Sequence, residues 1–330
     1  MEKVKILVTD NLVGRMPEIT KGRYPEEDKR IEWVMVQKGN DEEELLSLVP
    51  GASILVGARY PIPASVLKKG DKVYFIQQCS QGYDNIHLET AKAKGITVSN
   101  AGTAGEIPVA EHAMMLMLTV AKSLPRSHNT MANGEWVFPQ LISKVYEVYE
   151  KTLGIIGLGR IGARLAVMAN GFGMKIQYFD PYRKDTSDLK FPVKSVSLEE
   201  LLKTSDFISI HTLLTNETRH MIGAAQLRMM KPTAYLINTA RGVIVDEDAL
   251  ADALEKGVIA GAGLDVFGGH HEPPPEGAKV LRLPNVVLTP HIGGATAEDI
   301  FRNFYVTSLD NVIRVLRGEK PLYVVSPGKV

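Results

Sequence analysis

Three side chains of complementary chemistry lie in the second half of this 330-residue sequence: a guanidinium, a carboxylate and an imidazole. Arg241 sits in Asn238-Thr-Ala-Arg241-Gly242, Glu272 stands before Pro273, and His291 sits in Thr289-Pro290-His291-Ile-Gly293-Gly294. Each follows an apolar run that reads as a short strand: Tyr235–Asn238, Gly263–Val266 and Val286–Thr289. In open α/β sheets ligands bind beyond the carboxyl ends of strands, so the three groups converge on one edge. There they could bind an anion and move a proton.

The ligand for that edge is indicated upstream. Gly157-Leu-Gly159-Arg-Ile-Gly162 lies between a strand, Leu153–Ile156, and a helix, Arg160–Gly171. The first two glycines let the backbone turn tightly and approach a pyrophosphate, whose charge rests on the helix N-terminus. A second strand ends in Asp180, at the spacing expected for gripping an adenosine ribose. Strand, glycines, helix and acid together specify a dinucleotide-binding loop far more tightly than the glycines alone.

The elements that must position these residues form two series. The first hundred residues alternate strands (Val4–Thr9, Ile31–Val36, Ser53–Val56, Val73–Gln77, Ile96–Ser99) with helical stretches (Asp41–Val49, Pro63–Lys69, His87–Lys94). From Lys151 six strands are expected: Leu153–Ile156, Ile176–Asp180, Phe207–His211 and the three named above. The expected fold is α/β, with two doubly wound parallel sheets: a flavodoxin-like substrate domain and a Rossmann domain. A last helix near 297–317 is expected to cross back, so residues 1–100 and 295–330 form one domain around 101–294. Glu106–Leu124 reads as one long helix, apolar over most of its circumference, which belongs at a domain or subunit junction. Met114, Met115 and Met117 on it read as core or interface packing.

Composition excludes several classes. Lys plus Arg equals Asp plus Glu at 38 each, which leaves no electrostatic footprint for nucleic acid or an anionic membrane. The lone Cys79 permits neither an internal disulfide nor a cysteine-based zinc site. Adjacent His270 and His271 beside Glu272 rarely face one point, so no metal is expected. The N-terminus enters a strand directly, and the apolar run Ala113–Ala121 is too short to span a bilayer. The expectation is a soluble, cytoplasmic protein.

The sequence resembles the D-isomer-specific 2-hydroxyacid dehydrogenases over nearly its whole length. The likeness is carried by Gly82-Tyr-Asp-Asn-Ile, Val109-Ala-Glu-His112, Lys151-Thr-Leu-Gly-Ile-Ile-Gly-Leu-Gly-Arg-Ile-Gly162, Asn238-Thr-Ala-Arg-Gly242, Val245-Asp-Glu, Gly263-Leu-Asp-Val-Phe267 and Pro290-His-Ile-Gly-Gly294. Blocks in this order are specific for the family and hardly at all for its substrate. The resemblance implies an NAD-dependent enzyme that interconverts a 2-oxo acid and a D-2-hydroxy acid in a cleft between two domains, as a homodimer. It makes Arg241 the clamp on the substrate carboxylate, His291 the proton donor, and Glu272 the partner that raises the His291 pKa. Gln81 and Gly82 would hold the carboxylate by their amides. Arg59, at the end of the strand Ser53–Val56, reads equally as a contact for the substrate's tail or as a solvated surface charge. Arg160 and Ile161 would meet the pyrophosphate, Asp180 the ribose, and Thr212, Thr239 and Ala240 other parts of the cofactor. Asp265 would hold the nicotinamide amide, with Gly293 and Gly294 close by. Arg183 near Asp180 would partly offset the repulsion of a 2′-phosphate.

Three positions depart from the family's pattern. Gly268-Gly269-His270-His271 lengthens the spacing to Glu272, Leu213 stands where proline is common, and Gln81 replaces a usually smaller residue. The expected substrate is a glyoxylate- or hydroxypyruvate-like acid. The alternatives are 3-phosphoglycerate oxidation and, in another class, a nicotinamide-sensing corepressor.

Overall fold

The computed structural model describes residues 3–38, 41–268 and 273–325. The chain divides into two compact units, 1–105 with 296–330, and 106–295.

The first unit contains β1 (Val4–Val8), β2 (Ile31–Met35), β3 (Ile54–Gly57), β4 (Phe75–Gln78) and β5 (Thr97–Ser99). They form one parallel sheet in the order β2-β1-β3-β4-β5. This is the flavodoxin-like order, whose switch point falls between β1 and β3. Strand residues alternate between two buried layers. Leu7, Leu55, Ile76 and Val98 face one layer, and Ile6, Val8, Ile54, Val56 and Phe75 face the other. The helical stretch after Thr296 closes the second layer with Leu309, Val312 and Ile313. It is widened into a π-helix over Ile300–Thr307 rather than running as one regular helix.

The second unit contains β6 (Thr152–Ile156), β7 (Lys175–Phe179), β8 (Val193–Ser195), β9 (Phe207–Ile210), β10 (Tyr235–Asn238), β11 (Gly261–Leu264) and β12 (Val286–Leu288). All are parallel, in the order β12-β11-β10-β9-β6-β7-β8. Read from β8, this is the Rossmann order with β12 added at the far edge. The sheet has seven strands where six were expected. The extra one, β8, is a three-residue edge strand with Lys194 and Ser195 exposed, so it carries no apolar run to announce it.

The helix Glu106–Ala121 begins the second unit. Most of its apolar circumference is covered there, where it packs against the helix Arg160–Gly171 and against β10 and β11, while Ile107 stays exposed. Gly263 permits that approach, since a Cβ there would lie 2.9 Å from the Leu116 Cβ. Met114 and Met117 are buried, while Met115 is exposed. Exposed apolar side chains cluster later in the chain, at Leu124, Met131, Trp136, Phe138, Ile142 and Tyr149. Among the described residues no single helix is long and apolar enough to cross a membrane.

Candidate active site

The glycine loop stands at the switch point of the second sheet, between β6 and β9. Gly157 has φ +91°, and a Cβ there would lie 2.9 Å from the main chain of His211, which follows β9. Glycine is therefore required twice over, by backbone conformation and by contact. A Cβ on Gly162 would strike the Gly157 carbonyl at 2.3 Å, so the third glycine lets the helix Arg160–Gly171 start against the strand end. Gly159 differs from both. A Cβ there would meet nothing, and this N-cap residue offers no side-chain cap to the first helical amides. The space beside this helix N-terminus is open and suits an anion. Ile161 packs partly into the core, and Arg160 at the first helical position is exposed.

Asp180 follows β7 and accepts three main-chain amides, from Leu158 (2.9 Å), Tyr182 (2.9 Å) and Arg183 (3.1 Å). Its two oxygens thus fix the glycine loop to the β7 turn. Arg183 is turned away from it. Nη1 donates to the Leu158 carbonyl (2.8 Å), Nε to the Asp185 carbonyl (3.0 Å), and Nη2 to Asp188. The guanidinium holds the Asp188 carboxyl below its ordinary range. A cavity of about 720 Å³ opens here, lined by Gly159, Arg160, Asp180, Tyr182 and Arg183 among others. Two hydroxyls at neighbouring strand ends, Thr212 after β9 and Thr239 after β10, are buried without a hydrogen-bond partner among the described residues. Leu213, beside Thr212, is exposed. Desolvation pushes the His211 imidazole down to about 3, so it stays neutral beside Ser209.

The turn after β10 is set by Asn238. Its Oδ1 accepts the Ala240 amide (3.0 Å) and its Nδ2 donates to the Arg241 carbonyl (2.9 Å). Arg241 lies half-buried at this turn, with Nη1 donating to the Ala240 carbonyl at 2.8 Å. Gly242 then passes so close to the chain after β11 that a Cβ would lie 1.7 Å from the Phe267 carbonyl oxygen.

His291 follows β12 with an exposed side chain and φ +54°, a left-handed conformation that costs a non-glycine residue about 1–2 kcal/mol. Asp265, after β11, holds it there. The Asp265 carbonyl accepts the His291 amide (2.8 Å), Oδ1 accepts the Thr289 hydroxyl (2.6 Å) and the Ile292 amide (3.0 Å), and Oδ2 accepts the Gly293 amide (2.9 Å). Burial alone would raise this carboxyl. Hydrogen bonds from His112, Thr289 and the Gly293 amide hold it below its usual value instead. A Cβ on Gly293 would lie 2.8 Å from Asp265 Oδ2, and Gly294 is half-buried next to it. Glu272, with His270 and His271, lies outside the described residues.

In the first unit, Arg59 and Gln81 follow neighbouring strands, β3 and β4. Arg59 donates its amide to the buried Asp10 carboxylate (2.7 Å), and its guanidinium lies 3.5 Å from that carboxylate and 5.1 Å from the Tyr60 ring centre. The loop after β4 is pinned by Gln78, whose Nε2 donates to Ser80 Oγ (2.8 Å) and the Gly82 carbonyl (2.9 Å). Asn85 ties it to the Tyr60 carbonyl (2.8 Å), and Asn100 donates to the Gln81 carbonyl (2.9 Å). The Gln81 and Gly82 amides have no acceptor among the described residues.

Residues 114–293 match the family described as D-isomer specific 2-hydroxyacid dehydrogenase, NAD binding domain. The chain belongs to this family. Relatives of the dehydrogenase include a glyoxylate reductase of Korarchaeum cryptofilum, 40% identical over 295 residues, covering 89% of this chain and 85% of that one. A D-3-phosphoglycerate dehydrogenase of Methanocaldococcus jannaschii is 40% identical over 325 residues, covering 98% of this chain but 59% of the relative. The crystal structure of a glyoxylate reductase from Paecilomyes thermophila superposes with TM-score 0.88 at 29% identity, each chain covered in full (100%). The dehydrogenase binds NAD, and its second unit fits that cofactor: open space beside Gly159, uncapped amides, an acid after β7 and two orphaned hydroxyls.

Proposed function

We propose that this dehydrogenase reduces a small 2-oxo acid with a short polar tail, of the glyoxylate or hydroxypyruvate type, to its D-2-hydroxy acid. The observation that carries the reading is the placement of Arg241 and His291 at the carboxyl ends of β10 and β12, two strands of the sheet that binds the cofactor. When bound, NADH supplies the hydride. Arg241 takes the substrate carboxylate in its planar fork and polarises the 2-oxo group. The unpaired Gln81 and Gly82 amides assist from the first unit. His291 gives its proton to the developing alkoxide, and Glu272 is assigned to it as the acidic partner. The relatives named glyoxylate reductase support the substrate class.

Arg59 bears on the tail. Asp10 lies 3.5 Å from its guanidinium, and a single arginine so engaged makes a poor phosphate cradle. NADH consumption should therefore be efficient with glyoxylate and hydroxypyruvate, and NAD reduction with 3-phosphoglycerate weak. Arg59→Ala should raise KM for hydroxypyruvate more than for glyoxylate, which has no tail to lose. Equal effects on both acids would place Arg59 outside the pocket. Strong preference for 3-phosphoglycerate would overturn the substrate assignment.

Cofactor choice follows from the β7 turn. Asp180 receives the ribose hydroxyls and repels a 2′-phosphate, and Arg183 is committed to Leu158, Asp185 and Asp188 rather than to a phosphate. The expected preference for NADH over NADPH in kcat/KM is about a hundredfold or more, equivalent to roughly 2.7 kcal/mol. Comparable efficiencies would contradict this role for Asp180.

The same reading makes the enzyme a cytoplasmic homodimer. Its contact surface takes in the exposed side of Glu106–Ala121, with Ile107 and Met115, and the exposed apolar segment from Leu124 to Tyr149, where Trp136 and Phe138 stack at 6.4 Å. Light scattering at micromolar concentration should give twice the chain mass, and a monomer would refute it.

A further inference from the structure

The carboxylate that holds the His291 loop is itself held by a histidine distant in sequence. His112 lies on the helix Glu106–Ala121 with its side chain 10% exposed. Its Nε2 is 2.8 Å from Thr289 Oγ1 and 3.3 Å from Asp265 Oδ1. The roles in this triangle follow from proton inventory. A carboxylate only accepts, so the single Thr289 hydroxyl proton goes to Asp265 Oδ1 at 2.6 Å. Thr289 Oγ1 is then left as an acceptor, and His112 must carry its proton on Nε2 and donate it. The His112 ring also lies under the loop: a Cβ on Gly293 would stand 3.4 Å from His112 Cβ and Cδ2.

We propose that His112 is a positioning residue for the proton transfer, acting on His291 through Thr289 and Asp265. Asp265 grips the loop on both sides of His291, by Thr289 before it and by the Ile292 and Gly293 amides after it. One carboxylate serving these donors can rotate toward any of them. The Nε2–H of His112, approaching from the helix, fixes its rotation and the Thr289 rotamer together. That set helps to hold the left-handed backbone of His291, whose strain favours release. Displacing an acid by even one ångström is costly to the rate, since proton transfer needs hydrogen-bond reach. His112 touches neither substrate nor cofactor in this account. The inference rests on the reading of His291 as proton donor.

The test uses the full-length enzyme with NADH and glyoxylate. His112→Leu should lower kcat between about tenfold and a hundredfold, the range for misplacement rather than removal of a catalytic group. NADH affinity, read by fluorescence titration, should change far less than kcat. His112→Gln places an amide donor near the position of Nε2 and should regain most of the loss. Thr289→Val cuts the same link from the loop side, and should reproduce the kcat loss even if His112→Leu fails to fold. Placed on a His291→Ala background, either change should cost nothing further, because a positioned group that is absent cannot be mispositioned. Unchanged kcat in His112→Leu and Thr289→Val would overturn the proposal. So would weakened NADH binding in step with kcat, or an equal loss on the His291→Ala background. Near-normal turnover of His291→Ala alone would instead sink the proton-donor reading itself.

Discussion

Replacing His291 by Ala is expected to lower turnover about a hundredfold or more, the usual scale for losing general acid–base catalysis, while folding and NADH binding persist. The reason for that separation is structural. The bonds that tie this loop to Asp265 come from the His291, Ile292 and Gly293 amides and the Thr289 hydroxyl. Alanine keeps that amide and meets a similar left-handed strain, so those bonds persist while the proton donor is removed. The measurement is kcat for glyoxylate reduction, alongside NADH titration and the thermal midpoint. A variant with near-normal turnover would remove His291 from the mechanism, and one that unfolds would give it a structural role instead.

Gly242→Ala is expected to have the largest effect on stability. The added Cβ would lie 1.7 Å from the Phe267 carbonyl oxygen and 1.8 Å from its carbon, both main-chain atoms that cannot rotate aside. Relief requires moving either the turn that presents Arg241 or the chain leaving β11. Overpacking of this kind costs about 3 kcal/mol or more. For a domain of this size that lowers the thermal midpoint by roughly 10 °C. Because Arg241 precedes the clash, kcat/KM should fall at least tenfold in whatever fraction remains folded, on the scale set by displaced positioning groups. A wild-type melting curve with wild-type kinetics would show that the two segments separate freely.

Much of this was legible in the sequence because the signals are local. Gly157, Gly159 and Gly162 sit within six residues, their strand and helix flank them directly, and Asp180 ends the next strand. The apolar runs of β3, β4, β9 and β10 are buried along their full length, so hydrophobicity alone marks them. What escaped depends on partners far apart in the chain. The apolar girth of Glu106–Ala121 was evident, but its cover, the sheet face opened by Gly263, lies some 150 residues later and leaves no trace in the helix's own pattern. His112 reads as an ordinary helical histidine, since Thr289 is 177 residues away. Arg183 read as a neighbour of Asp180, whereas its acceptors are two carbonyls and Asp188, which only the folded turn brings together. The family resemblance assigns Asp265 to the nicotinamide amide. Its position among the Thr289, Ile292 and Gly293 donors gives it a task inside the chain as well.

The central claim is the stereospecific reduction of a 2-oxo acid, and the chirality of the product tests it most directly. Hydroxypyruvate incubated with the enzyme and excess NADH should yield glycerate in one-to-one ratio with NADH consumed, all of it the D enantiomer by chiral chromatography. Formation of L-glycerate, or no NADH consumption with any small 2-oxo acid, would contradict the account.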